Sequence, residues 1–230
     1  MSTIKLNFIN RSNDVNNSDI VIFQKNVSDA FGETAVAWRV IKNCGQGMNH
    51  PFSFPEDVTI SAGDAYGNYT PQLPAQNGQS FQLIQTSSGE QLTAAGQASS
   101  YAEIELGNSL SRGAISANIY RDHKLVAIHT GIAPGQKAVF AFKPTIWIGV
   151  VSQMEEGAIM NQAIVSELNT EISLLGIVSA DIVLTGGGSG ANALPFQFTL
   201  QNMNYWGAQS GMMSASTSDA EGQQPTASSL

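Results

Sequence analysis

The sequence predicts an all-β protein, an antiparallel two-sheet β-sandwich of jelly-roll or immunoglobulin-like type, with at most one short helix near 155–170. Three observations point there. Apolar and polar residues alternate over short runs bounded by Gly, Pro, Asn and Ser, which is the spacing of half-buried strands. Apolar spacing of helical period is scarce, so little is available to cover a parallel sheet. No repeat of about 20–50 residues is visible, which argues against a propeller or solenoid.

The strands are taken in chain order. Ile4, Leu6 and Phe8 point one way and Lys5 and Asn7 the other. DIVIF, Asp19 to Phe23, is apolar on both faces and reads as a strand covered on both sides. Period-two spacing recurs in Val36, Trp38 and Val40, then in Phe81 and Leu83, then in Ala102, Ile104 and Leu106 with Glu103 and Glu105 opposite. ANIYRDHKLVAIHT, Ala117 to Thr130, reads as a hairpin turning at Arg121 to Lys124, where His123 takes a position that favours positive φ. Ala133-Pro134-Gly135-Gln136 has the residues of a type II turn. TIWIGVV, Thr145 to Val151, is a second strand apolar on both faces. EEGAIMNQAIVSELNTE, Glu155 to Glu171, is evenly balanced: Ile159, Ala163, Ile164 and Leu168 fit a helical face, but β-branched residues favour a strand. Phe196, Phe198 and Leu200 restore the alternation. These elements make one domain over 1–205; residues 206–230 form a Ser/Ala/Gly/Gln-rich tail expected to be mobile unless docked.

Composition restricts the partners. The net charge is −8 and only 12% of residues are charged, so the surface is built largely of amides, hydroxyls and glycine. Ten basic residues in an acidic chain do not make the dense cationic face that nucleic acid requires. Five of the ten, Arg112, Arg121, Lys124, Lys137 and Lys143, fall in a block holding the single acid Asp122. That block reads either as a solvated strand face or as a basic assembly patch for the acidic remainder of a neighbouring subunit. The lone Cys44 suits a reducing compartment. MSTIKLNFINRS lacks the pattern of a signal peptide, and no run has the length of a spanning helix. The expected location is the cytoplasm, or release without a cleaved signal.

LTGGGSGA, Leu184 to Ala191, satisfies the spacing of a dinucleotide-binding loop, with Gly186, Gly188 and Ala191 in place after a strand-like DIVL. Such a loop needs a helix to begin at once, so that its free amides meet the pyrophosphate. Here Pro195 and the strand FQFTL follow, and after Asp181 the next acid is Asp219. The stretch is therefore read as a flexible connection between two strands. Pro195 also denies Ser189 a nucleophile elbow. His50, His123 and His129 have no local catalytic partners and no metal-ligand spacing, and SAGDAYGNY lacks the alternating acids of a calcium loop. No catalytic, cofactor-binding or metal residues are assigned, and no cofactor is expected.

What remains is a contact surface. NHPFSFP and AYGNYTP place Phe52, Phe54, Tyr66 and Tyr69 on irregular segments beside amides, and NYWGAQSGMM adds Tyr205 and Trp206. Aromatic rings beside amides suit a sugar, a lipid headgroup layer or a protein partner; packing in the core is the alternative for Phe52 and Phe54.

On INRSND (Ile9 to Asp14), VIFQKN (Val21 to Asn26) and KPTIWIGVVS (Lys143 to Ser152), the chain resembles a family of small uncharacterised bacterial proteins. The resemblance implies a bacterial source and carries no active site. More loosely, as an amide-rich acidic β-protein without disulfides, the chain is similar in class to the aegerolysin and actinoporin-like proteins. The expected function is a non-enzymatic interaction module, binding a protein partner or self-assembling as a homo-oligomer. The alternative is a membrane-active or lectin-like protein, a toxin among the options, that uses the loop aromatics on lipid or glycan.

Overall fold

The computed structural model describes residues 3–28, 35–168 and 170–207. Its first strands are β1 (Thr3–Asn10), β2 (Asp19–Phe23), β3 (Ala35–Val36), β4 (Arg39–Ile41), β5 (Asn49–Pro55) and β6 (Val58–Gly63). Next come β7 (Leu73–Ala75), β8 (Gln79–Thr86), β9 (Gly89–Gln97), β10 (Ile104–Asn108), β11 (Ile115–Arg121) and β12 (Lys124–Ile132). The last are β13 (Lys137–Phe140), β14 (Thr145–Val151), β15 (Ile159–Met160), the short helix α1 (Gln162–Glu167), β16 (Thr170–Ser173), β17 (Ile177–Gly187) and β18 (Leu194–Tyr205).

The class is all-β, but these strands form four sheets where two were expected. Their orders are β18-β17-β1-β5, β13-β10-β8-β9, β15-β3-β12-β11-β6-β7 and β16-β14-β2-β4. Most neighbours are antiparallel, yet β1 pairs in parallel with β17 and β8 with β10. Alternation says which face of a strand turns inward and leaves its neighbour open. The partner of β1 lies at the far end of the chain, where Asn7 donates to Asp181 at 3.1 Å.

The core is correspondingly divided. One cluster joins Leu6, Phe8 and Ile182 of the first sheet to Ile20, Ile22, Ile146 and Ile148 of the last, with Trp38 wholly buried among them. A second joins Phe81, Leu83, Leu106 and Phe140 to Ile60, Ile119 and Ile132. A third lies on the other side of β2, where Val21 and Phe23 meet Met160, Val165 and Leu168. DIVIF is thus a strand covered on both sides, because Ile20 and Ile22 enter one cluster and Val21 and Phe23 another. TIWIGVV behaves alike, with Ile146 and Ile148 on one face and Trp147 and Val151 on the other.

Local chemistry sets the turns. Asp122 and His123 have φ of 53° and 59°, the left-handed pair of a two-residue type I′ hairpin. Gly135 has φ of 79°, and the Gln136 amide donates to Ala133 O at 2.9 Å, closing the type II turn. The balanced segment resolves into β15 followed by α1, whose N-cap Asn161 accepts from the Ile164 amide at 3.0 Å. Three local readings change. Val36 and Val40 belong to separate strands, with the intervening Ala37 and Trp38 both buried. Ala102 lies outside β10, and Glu105 is buried rather than facing water.

LTGGGSGA does lead from one strand to the next, but Leu184 to Gly187 are the end of β17 rather than a flexible loop. β17 runs as far as Gly187, a single 3-10 turn (Gly190–Asn192) follows, and β18 returns antiparallel. The glycines are also docked: Asn13 N–H donates to Gly186 O at 2.7 Å and Gly188 N–H to Asn13 O at 2.8 Å. A Cβ on Gly186 would lie 2.1 Å from Pro195 O. Of the tail, residues 208–230 lie outside the described residues.

Candidate functional site

The loop between β6 and β7 holds its own shape. Asp64 Oδ1 accepts the amides of Tyr66 and Asn68, both at 2.8 Å, and Oδ2 accepts Asn68 Nδ2 at 2.7 Å. Those hydrogen bonds, the Asn68 side chain's first, hold the Asp64 carboxyl below its ordinary range. Both oxygens serve the loop, which gives Asp64 a structural role in SAGDAYGNY. At the loop's far end Thr70 Oγ1 accepts the Ala62 amide at 3.0 Å, and the Tyr69 ring covers Gly63, where any Cβ would meet it at 2.8 Å.

This scaffold presents two aromatic rings to water. Tyr66 is 90% exposed and Tyr69 64%. Beside them lie two adjoining hollows of about 450 and 370 Å³ that share Asp64, Tyr66, Gln85 and Glu90; the second also reaches Ser111 and Arg112. Ring faces, amides and side chains of both charge signs converge there, a combination that binds a planar polar ligand by stacking and directed hydrogen bonds. Among the described residues no group of three or more His, Cys, Asp or Glu side chains could hold a metal.

In comparisons with family models, curated proteins and solved structures, nothing matches this chain. The site is therefore built from its own residues alone. In INRSND, Asn10 is buried, donates to Cys44 O at 2.6 Å and accepts from Ser12, a structural role.

The remaining sequence candidates fall in different places. Phe52 and Phe54 are core residues of β5, packed edge-on against Trp38, and cannot be a contact surface. Their alternating Asn, Ser and Pro neighbours face outward instead. Tyr205 and Trp206 are 47% and 65% exposed at the end of β18. The basic patch is dispersed. Arg121 is buried, Lys124 pairs with Glu156 at 2.6 Å, and Lys137 pairs with Glu105 at 2.7 Å. Arg112 lines the tyrosine hollow, and Lys143 lies elsewhere beside Phe142 and Arg121. Adjacent positions on a strand point to opposite faces and the block spans several strands, so proximity in sequence did not become a surface.

Among the described residues none of the three histidines is hydrogen-bonded to a serine or a carboxylate, and no triad is assembled. His50 sits half-buried on β5, where burial and the nearby Arg39 and Lys124 charges lower its pKa. Cys44 is buried, which raises its thiol pKa and keeps it from acting as a ready nucleophile. No described helix is long and apolar enough to cross a membrane.

Around Tyr205 the sequence did not show a wider surface, the edge of β18. β18 is a twelve-residue edge strand whose Leu194, Phe196, Met203 and Tyr205 are exposed. Its signal was present as the complete lack of charged residues from 182 to 218.

Proposed function

We propose that this chain is a non-enzymatic interaction module, a rigid β-framework that self-associates through the edge of β18 left unpaired among the described residues. One observation carries the reading: a long edge strand with exposed apolar side chains and no charge. Residues Gln197 to Gln201 pair with β17 in unbroken register, so their outward N–H and C=O groups form a regular row open to another strand. Natural edges are usually blunted by lysine, proline or bulges. β18 has no lysine; Pro195 stands near its start and register irregularities flank the run Gln197 to Gln201, which itself stays regular. A second copy is the partner this edge favours. Two molecules of net charge −8 repel over most of their surfaces, and an uncharged strand lets them meet without opposing carboxylates. Antiparallel pairing of β18 with itself makes a closed two-fold dimer.

The sandwich description belongs to the same proposal. Each of the two larger hydrophobic clusters is shared by two sheets, which supports sheets stacked in pairs. Light scattering after size-exclusion chromatography, at low and high salt, tests the assembly. A dimer or larger species is expected at both, because the contact is not ionic, and Phe196→Lys combined with Met203→Lys should yield a monomer. A monodisperse monomer of the wild type at both salt concentrations overturns the proposal.

The tyrosine hollows favour a second reading, a lectin-like or membrane-active protein. The supporting feature is a loop fixed by Asp64 that holds two exposed rings beside polar groups, with Trp206 as a further exposed aromatic. A glycan array and liposome co-sedimentation would separate sugar from lipid. Tyr66→Ala and Tyr69→Ala should weaken any binding observed, and silence on both panels retires this reading.

A further inference from the structure

We infer that the cavity lined by Arg121 and Lys143 is a binding site for a small organic monocarboxylate with an apolar body. Arg121 ends β11 and is 6% exposed. Its Nε donates to Gln24 Oε1 at 3.1 Å, Nη1 donates to Pro55 O, and the guanidinium lies 4.4 Å from the Phe54 ring centroid. Gln24 is itself tied down, donating to Lys143 O at 3.2 Å and Thr145 O at 3.0 Å. The fork is therefore held in one orientation, and Nη2 has no hydrogen-bond partner among the described residues.

The cation also has no counter-ion in contact. None of the four ion pairs among the described residues includes Arg121. Burial, opposed by the charges of Glu56 and Asp57, lowers its pKa to about 10, so it remains charged at neutral pH. A buried charge held only by neutral acceptors keeps part of its desolvation cost, and an anion that reaches Nη2 recovers some of it.

The cavity, about 290 Å³, is open beside this group. Lys143 and Asn77 add donors, Glu56 adds one negative charge, and Phe54, Val58 and Phe142 supply apolar wall. Among the lining residues two cations, Arg121 and Lys143, stand against the single carboxylate of Glu56, with Asp57 acting on Arg121 from outside the lining. The volume lies at the lower end for small-molecule sites and limits the body to a single ring or a short chain.

Saturation-transfer NMR on the full chain, with benzoate and hexanoate against benzamide and hexanamide, tests the site. Both acids are expected to bind, with the amides weaker by roughly tenfold or more, as befits the loss of a charge-assisted hydrogen bond. Arg121 also anchors Gln24 and Pro55, so its replacement can unfold the chain; the decisive variant is Lys143→Glu, at an exposed position. Lys143→Glu should weaken both acids several-fold and leave the circular dichroism unchanged. Absence of saturation transfer to either acid, equal binding of acid and amide, or unchanged affinity in Lys143→Glu would each overturn the proposal.

Discussion

Single atoms decide much of this molecule. Gly186 combines φ of 91° with a place where any Cβ would strike Pro195 O, whereas Gly190, at φ of 66°, has open space around it. Gly186→Ala should therefore cost at least about 2 kcal/mol and Gly190→Ala about 1 kcal/mol, measured by urea unfolding. Equal costs would mean that the close approach to Pro195 is relieved by movement of β18. Glu105 is the other instructive residue. Burial pushes its carboxyl up, but the Lys137 ion pair and the Ser99 amide outweigh this and hold it below the ordinary range. With the folded pKa below the unfolded one, its contribution is complete above the unfolded value and is lost as pH falls through the folded one. The stability gap between wild type and Glu105→Gln should accordingly close on acidification. A gap unchanged between pH of about 7 and about 3 would rule out that linkage. The alternation around Glu103 and Glu105 was visible in the sequence; that Lys137 would arrive on β13 to pair with Glu105 was not.

Whole elements were legible where backbone chemistry is local. The Arg121–Lys124 hairpin follows from a type I′ turn, whose two central residues need positive φ, and Asp and His tolerate it. Replacing His123 with glycine completes the Asp-Gly pair that this turn favours best. The variant is expected to be as stable as wild type or up to about 1 kcal/mol more stable by chemical denaturation. A loss of more than about 1 kcal/mol would assign the His123 side chain a contact outside the turn. The segment Glu155 to Glu171 resisted reading because its short apolar runs fit both periods. Asn161 resolves it by capping α1 after β15 has ended. β18 shows the opposite failure. Its alternation was plain, but whether a strand is central or at an edge depends on neighbours that its own residues do not name.

At the scale of the molecule the three clusters are connected. β12 contributes Val126 to one cluster and Ala127 and Ile132 to another, and Phe142 packs against both. Loss of either cluster should therefore disturb the other, and calorimetry is expected to show one unfolding transition with equal van't Hoff and calorimetric enthalpies. Two resolved transitions would mean that the clusters unfold independently. The charge pattern acts at the same scale. Among the described residues four ion pairs tie segments distant in sequence; they take up two cations of the basic block, Lys124 and Lys137, and leave Arg112, Arg121 and Lys143 outside any ion pair.

The sequence by itself determined the all-β class, the two-sided burial of DIVIF and TIWIGVV, the turns at Asp122-His123 and Pro134-Gly135, and the connecting role of the glycine stretch. Each depends on φ preferences or on the period of side-chain direction, which are properties of a few adjacent residues. Only the tertiary structure decided the four sheets, the parallel pairing of β1 with β17, the burial of Phe52, Phe54 and Arg121, and the exposure of β18 and Tyr66. Those depend on which distant strands become neighbours, and strand pairing is made by backbone groups that every residue except proline carries alike.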